Sequence, residues 1–237
     1  MPDFESMRRE VRYGMPAADQ VVFNRHYVIG YSYYFRQAKW ALEIVSQGDG
    51  ERTGTFRPDY RIPELFRADL KDFEKSGFDR GHLVASANQR DTEIQNSETF
   101  LLSNMSPQDP NLNRKRWKEL EGAIRDLNEK KDILETFVIC GPIFDFTLPV
   151  KTIGKADKNE VTLPVPHAYF KSVLTENKKG RLHMWSFILP NKNTTKSLAS
   201  YQVPTAMVEK YAGIFLWECL SGKKMTRERN TVRKMWT

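Results

Sequence analysis

Residues 77–121 read GFDRGHLVASANQRDTEIQNSETFLLSNMSPQDPNLNRKRWKELE, the densest pattern in the chain. The stretch opens on Asp79-Arg80-Gly81-His82. It passes through Ser103-Asn104 and Pro107-Gln108 and ends on Leu112-Asn113, Trp117 and Leu120-Glu121. Leu112, Trp117, Leu120, Ile124 and Leu127 recur at helical spacing and predict a helix over 111–130. Pro110 precedes it, where a missing N–H does no harm. Asn113, Trp117 and Glu121 stand at i, i+4 and i+8. Each step drifts about 40° on an α-helix, so the three should share one stripe, with Asn113 in the first turn facing the segment that bears His82 and Trp117 packing the helix onto the sheet.

Working outward, HYVIGYSYYF (26–35) and WALEIV (40–45) predict strands separated by the polar RQAK. Residues 47–78, rich in Gly, Pro and charge, predict a long surface loop. After the helix, ETFVICGPIF (135–144) predicts a central strand. VTLPVPHAYFKSVLTE (161–176) and GRLHMWSFILPN (180–191) predict a strand pair turned by NKKG. Met207, Val208, Tyr211, Ile214, Phe215 and Leu216 predict a last helix over 205–221. Strands and helices do not alternate strictly, so the expected class is α+β with a mainly antiparallel central sheet flanked by helices. One domain over 1–237 is expected, with its core in about 20–220.

The 237 residues carry 37 Lys and Arg against 30 Asp and Glu, a net charge of +7 that favours polyanionic partners. An apolar share of 40% with 12% aromatics excludes a disordered chain. No apolar run approaches the ~18 residues of a membrane span, so no membrane partner is expected. The opening MPDFESMRREVRYGM has no apolar h-region, so no signal peptide is expected in this chain. Cys140 and Cys219 both lie in apolar settings and read as two buried free thiols, with a disulfide as the alternative. No Cys/His cluster suggests structural zinc. His26, His167 and His183 read as ordinary strand histidines. The basic run RERNTVRKMW near the C-terminus reads as a solvated tail, with nucleic-acid contact as the alternative.

The DRGH word, with Asn104, Asn113, Trp117 and Glu121 behind it, resembles the DNA/RNA non-specific endonuclease family, which takes in secreted and mitochondrial nucleases. GYSYYFRQAKWALEIV, CGPIF, VTLPVPHAYFKSVL and FILPN resemble its strands, so the likeness covers about residues 20–220. It implies a ββα-metal (His-Me finger) fold and a sugar-non-specific endonuclease that cleaves DNA and RNA through one hydrated Mg²⁺, or Mn²⁺, leaving 5′-phosphate ends. By the same resemblance His82 is the general base and Asn113 the metal ligand. Glu121 orients metal-bound water, and Asp79 and Asn104 form the active-site shell. Secreted or periplasmic location, homodimers and cognate protein inhibitors also belong to what the family implies.

Elementary chemistry is compatible with those roles. Phosphodiester hydrolysis needs an activated water and charge stabilisation of the phosphoryl group and leaving oxygen. A neutral imidazole is available near its ordinary pKa of about 6.5, so a rate midpoint of about 6–7.5 is expected, and the neighbouring Arg80 would favour the neutral ring. Mg²⁺ takes oxygen ligands and keeps several waters, which suits one amide oxygen. Arg80 is expected on phosphate. The resemblance also implies an upstream arginine that stabilises the transition state. Arg52, Arg57 and Arg61 are the candidates; Arg52 is favoured, and Arg57 is named beside it for nucleic-acid contact. Two rivals stand against the endonuclease: a non-catalytic nucleic-acid-binding module and a phosphodiesterase acting on smaller substrates.

Overall fold

The computed structural model describes residues 8–46, 48–154 and 162–236. Its strands are β1 Gln20–Phe23, β2 Tyr27–Ser32, β3 Gln37–Ile44, β4 Asp79–His82, β5 Met105–Gln108, β6 Ile133–Ile143, β7 Thr152–Ile153, β8 Leu163–Pro164, β9 Ala168–Asn177, β10 Leu182–Pro190 and β11 Gln202–Val203. Its α-helices are α1 Leu70–Phe73, α2 Glu93–Glu98, α3 Lys118–Asn128, α4 Thr205–Ala212 and α5 Lys223–Arg229. Seven strands form one sheet in the order β1-β2-β3-β6-β9-β10-β11, every pair antiparallel. The α+β class with an antiparallel centre is therefore what the chain builds.

Both faces of this sheet are covered. Along β6, Phe137 and Ile139 enter one core while Val138 and Cys140 enter the other. Strands buried on both faces read as near-continuous apolar runs, which makes 135–144 so legible. Leu120, Ile124 and Leu127 of α3 pack into the Val138 side, and α4 and α5 close the other. A separate hairpin-like pair, β4 with β5, stands on the α3 side, and the helix that follows β5 completes a strand–strand–helix unit. No helix among the described residues is long and apolar enough to cross a membrane.

Several local expectations are corrected. The helix over 111–130 begins as a π-helical turn, Leu112–Trp117, before α3. The strand over 161–176 is split in two: Leu163–Pro164 pairs with β7, and the long strand of the central sheet starts at Ala168; Val161 lies outside the described residues. The last helix stops at Ala212. Gly213 takes a left-handed φ of +63° and its N–H bonds Glu209 O at 3.0 Å, a helix-ending geometry. Ile214 and Leu216 are buried beyond that end, while Tyr211 and Phe215 are exposed.

Cys140 is buried, but Cys219 is exposed; both are free thiols. Among the other histidines only His183 lies in a strand. The C-terminal basic run is no solvated tail. Arg229 pairs with Glu209, Arg233 Nη2 pairs with Glu228 at 2.7 Å, and Trp236 Nε1 donates to Ala123 O of α3 at 2.7 Å.

Gly81 shows why the β4–β5 unit needs its sequence. It faces Ser106 across the pair, and a Cβ there would come 2.1 Å from Oε1 of the buried Gln108. Gly81→Ala is expected to lower stability by about 1–3 kcal/mol, the usual size of an overpacking term. Calorimetric unfolding checks it; an unchanged Tm would mean that Gln108 can swing aside freely.

Candidate active site

His82 is the last residue of β4, and the main chain that leaves it is bonded on all sides. His82 O accepts from Trp117 Nε1 at 3.2 Å. Leu83 N donates to Asn104 O at 3.0 Å, and Leu83 O accepts from Lys171 Nζ at 3.2 Å and Cys140 Sγ at 3.0 Å. Val84 N and O are matched by Asn104 Oδ1 and Nδ2 at 2.9 and 3.0 Å. Asn104 is fully buried, so it braces the chain behind His82 and does not line the cleft.

The His82 ring packs against Phe100 edge-on at 5.0 Å and Phe56 at 5.8 Å. Its Nε2 is buried with no hydrogen-bond partner. Burial disfavours the imidazolium, and Arg52 adds to that, so the pKa is pushed down to about 3. The cation acting on the ring is thus Arg52 rather than its sequence neighbour Arg80. An unprotonated nitrogen kept in this state can accept a proton.

Asp79, at the other end of β4, reaches the helix. Its Oδ2 accepts from Asn113 Nδ2 at 2.9 Å and Arg114 Nε at 2.9 Å, and its Oδ1 accepts from Arg114 Nη2 at 2.7 Å. Burial works against the Asp79 anion, but these bonds outweigh it and hold the carboxyl below its ordinary range. With the Asn113 amide nitrogen tied to Asp79, its carbonyl oxygen is the donor left for a ligand.

The π turn changes the expected stripe. Trp117 is buried in the core, 5.7 Å from Tyr169, while Asn113 and Glu121 both line the cleft. The cleft-facing row is instead Arg114, Lys118, Glu121 and Arg125. The Glu121 side chain is 14% exposed, and its Oε1 lies 3.7 Å from Lys171 Nζ, an ion pair too long for a hydrogen bond. Burial pushes its pKa up against the opposing pull of Lys171 and Arg125.

Together these residues line a cleft of about 620 Å³ holding six cationic side chains and two carboxylates. Arg52 lies over the Phe100 ring at 4.9 Å and Arg80 over Phe56 at 5.3 Å, both on the cleft wall. Arg57 is not brought there: its Nη1 donates to Ser97 O and Thr55 O at 2.9 and 3.2 Å. Arg61 pairs with Asp59 at 2.7 Å. The sequence reading missed Arg90, Arg114, Lys118 and Arg125. For Arg125 a signal existed, since it stands four residues after Glu121; its Nη1 donates to Asn88 Oδ1 at 3.0 Å.

The β4–β5 pair and the helix after β5 form a strand–strand–helix unit that brings a half-buried histidine and an amide into one cationic cleft. The model of the DNA/RNA non-specific endonuclease family matches residues 6–222, and the chain belongs to that family. It is 32% identical over 235 residues to mitochondrial endonuclease G of Caenorhabditis elegans, covering 92% of this chain and 74% of that protein. It is 33% identical over 218 residues to human mitochondrial endonuclease G, covering 86% and 71%. Nuclease C1 of Cunninghamella echinulata is 33% identical, with 92% and 90% covered. A crystal structure of the EndoG/EndoGI complex superposes with a TM-score of 0.83 at 29% identity, covering 94% of each chain. The chain is thus a nuclease, a hydrolase of nucleic acid.

The pH dependence follows from the His82 environment. A base acts when neutral, and this ring stays neutral far below the ordinary histidine pKa. The acid limb of kcat/KM should therefore fall below pH 5, not at the 6–7.5 that an unshifted histidine gives. The folded pKa is depressed, so the unfolded chain binds the proton first. Stability from His82 is complete above about pH 6.5 and is lost as pH falls toward about 3. Arg52→Ala should move the ring's NMR titration midpoint upward; no movement would separate Arg52 from His82.

Proposed function

We propose that this chain hydrolyses backbone phosphodiesters of DNA and RNA with His82 as general base and a divalent ion, Mg²⁺ or Mn²⁺, held at Asn113. The observation that carries the reading is the unpaired, buried Nε2 of His82 in a cleft with six cations. The donors present fit a hard ion. Asn113 offers an amide oxygen because Asp79 holds its nitrogen, and Glu121, whose Oε1 is turned toward Lys171, stands on the same cleft wall. Among the described residues no three His, Cys, Asp or Glu side chains gather as a metal cluster, so the ion would be held through few protein atoms and water. When bound, it supplies charge stabilisation to the phosphoryl and leaving oxygens.

The chain's own residues do the rest. His82 takes the proton of the attacking water. Arg52 and Arg80 bind phosphoryl oxygens, and Glu121 orients water in the ion's shell. Asp79 aims Asn113, and Asn104 fixes the backbone behind the base. Cleavage leaves a 5′-phosphate, as the family likeness implies. Such a cleft meets phosphate charge rather than base edges, which favours low sequence specificity. The EndoG/EndoGI likeness extends the reading to a protein inhibitor, since a partner covering this cleft would shut out nucleic acid.

His82→Ala is expected to lower kcat at least ~100-fold on duplex DNA and on RNA while binding persists, the size of a general-base contribution. Near-normal cleavage by that variant, or full activity of the unaltered protein in excess EDTA, would overturn the mechanism. Asn113→Ala should lose Mn²⁺ binding in a calorimetric titration; unchanged affinity would put the ion elsewhere.

The phosphate contacts are separable by salt. Arg52→Ala should flatten the dependence of log affinity on log salt by about one unit, and Arg57→Ala should leave it unchanged. Filter binding across a salt series reads both, and equal slopes for the two variants would remove Arg52 from the phosphate site.

A further inference from the structure

One buried charge behind the cleft has no part in the chemistry above. Lys171, in the middle of β9, is 1% exposed. The groups facing its ammonium come from four elements: Glu121 of α3, Glu43 of β3, Cys140 of β6 and the Leu83 carbonyl just after β4. Its Nζ lies 3.7 Å from Glu121 Oε1, 3.2 Å from Leu83 O and 4.3 Å from the centre of the Trp117 ring. Trp117 in turn donates to His82 O. Glu43 is held by Asn88 and Gln89 at 3.0 and 2.9 Å, and Asn88 accepts from Arg125 of the cleft wall.

Taking a lysine charge out of water is costly, and an apolar side chain of the same length would fill this core with less penalty. The ammonium therefore calls for a role that packing does not supply. Two of its polar neighbours are the carboxylate on the helix and the carbonyl next to the imidazole. These are the two halves of the site, and Lys171 reaches both from one point on the rigid sheet.

We propose that Lys171 is a positioning residue that fixes the Glu121 carboxylate relative to the His82 imidazole: its ammonium is anchored on the Leu83 carbonyl, which Cys140 also bonds, and its charge pairs with Glu121. It is too buried to touch substrate and acts through Glu121. The proposal rests on the nuclease reading of the cleft.

The test is a double-mutant cycle on the full chain: Lys171→Met, Glu121→Gln and the pair together. Kinetics on a defined DNA duplex, calorimetric Mn²⁺ binding and thermal unfolding are read for each. Lys171→Met should lower kcat by about 10–100-fold, as loss of a supporting contact does, with KM within about twofold. Mn²⁺ affinity should fall with it. In the Glu121→Gln background the same change should cost nothing further in kcat, because the group it acts through is gone. Tm should drop in Lys171→Met, which leaves Glu121 buried without its counter-charge, and recover in the double variant.

Effects on kcat that multiply in the double variant, or a loss confined to Tm, would overturn the proposal. If Lys171→Met does not fold, the comparison of Glu121→Gln with the double variant decides: equal kcat supports the role, and a further tenfold loss overturns it. No cleavage by the unaltered protein with Mg²⁺ or Mn²⁺ would overturn the nuclease reading itself, whereas cleavage with multiplying effects would overturn only the role of Lys171.

Discussion

The structure depends on how three residues of main chain, His82 to Val84, are held. Every polar backbone group there that leaves the β4 ladder meets a partner from another element: Trp117 from the helix, Asn104 from the turn before β5, Cys140 and Lys171 from the sheet. Buried main-chain groups must be bonded, and here side chains meet the requirement for every group but Leu83 N, which donates to the Asn104 carbonyl. The consequence is geometric. The imidazole inherits the rigidity of three separate elements, and none of them can shift without breaking a buried bond.

The same economy governs charge. Asp79 neutralises part of the cationic cleft and at once turns the Asn113 amide, so one carboxylate sets both field and aim. Arg52 and Arg80 rest on phenyl faces, which hold a guanidinium in place without giving its charge an acidic partner. A polyanion entering the cleft meets cations already oriented. The inner wall is different: Glu43, Glu121 and Lys171 are charges in low-dielectric surroundings, and burial pushes the Glu43 carboxyl up to about 7. Such groups reduce stability unless mutually compensated.

Much of the site was legible because its residues sit in short, rigid words. Asp79 and His82 are bound by strand geometry, and Asn113 and Glu121 by one helix. The sheet was legible wherever strands are buried on both faces, as in β6. What was not legible has physical causes. The choice among Arg52, Arg57 and Arg61 depends on the path of an irregular loop, which no periodicity encodes. The π turn rotates Trp117 away from Asn113, and nothing in LNRKRW marks it. Gly213 ends the last helix through its left-handed preference, while the apolar spacing of 205–221 runs on past it. Lys171 and Glu43 were hidden because nothing in the letters separates them from Glu176 and Lys39, the half-buried charges on the same strands.

The cleft residues from Arg52 to Arg125 all belong to one excursion of the chain. Ile44 of β3 pairs with Phe137 of β6, and the whole of 45–136 lies in sequence between these two paired residues. Closing a loop of that length costs about 4 kcal/mol in chain entropy before the central ladder returns anything. Contacts so distant in sequence slow folding, so the middle of the sheet should zip late and only together with the excursion that spans it. The order of assembly and the order of activation then coincide. A chain that has not joined β3 to β6 has no fixed histidine or helix, and a fluctuation large enough to part those strands disarms the nuclease in the same event.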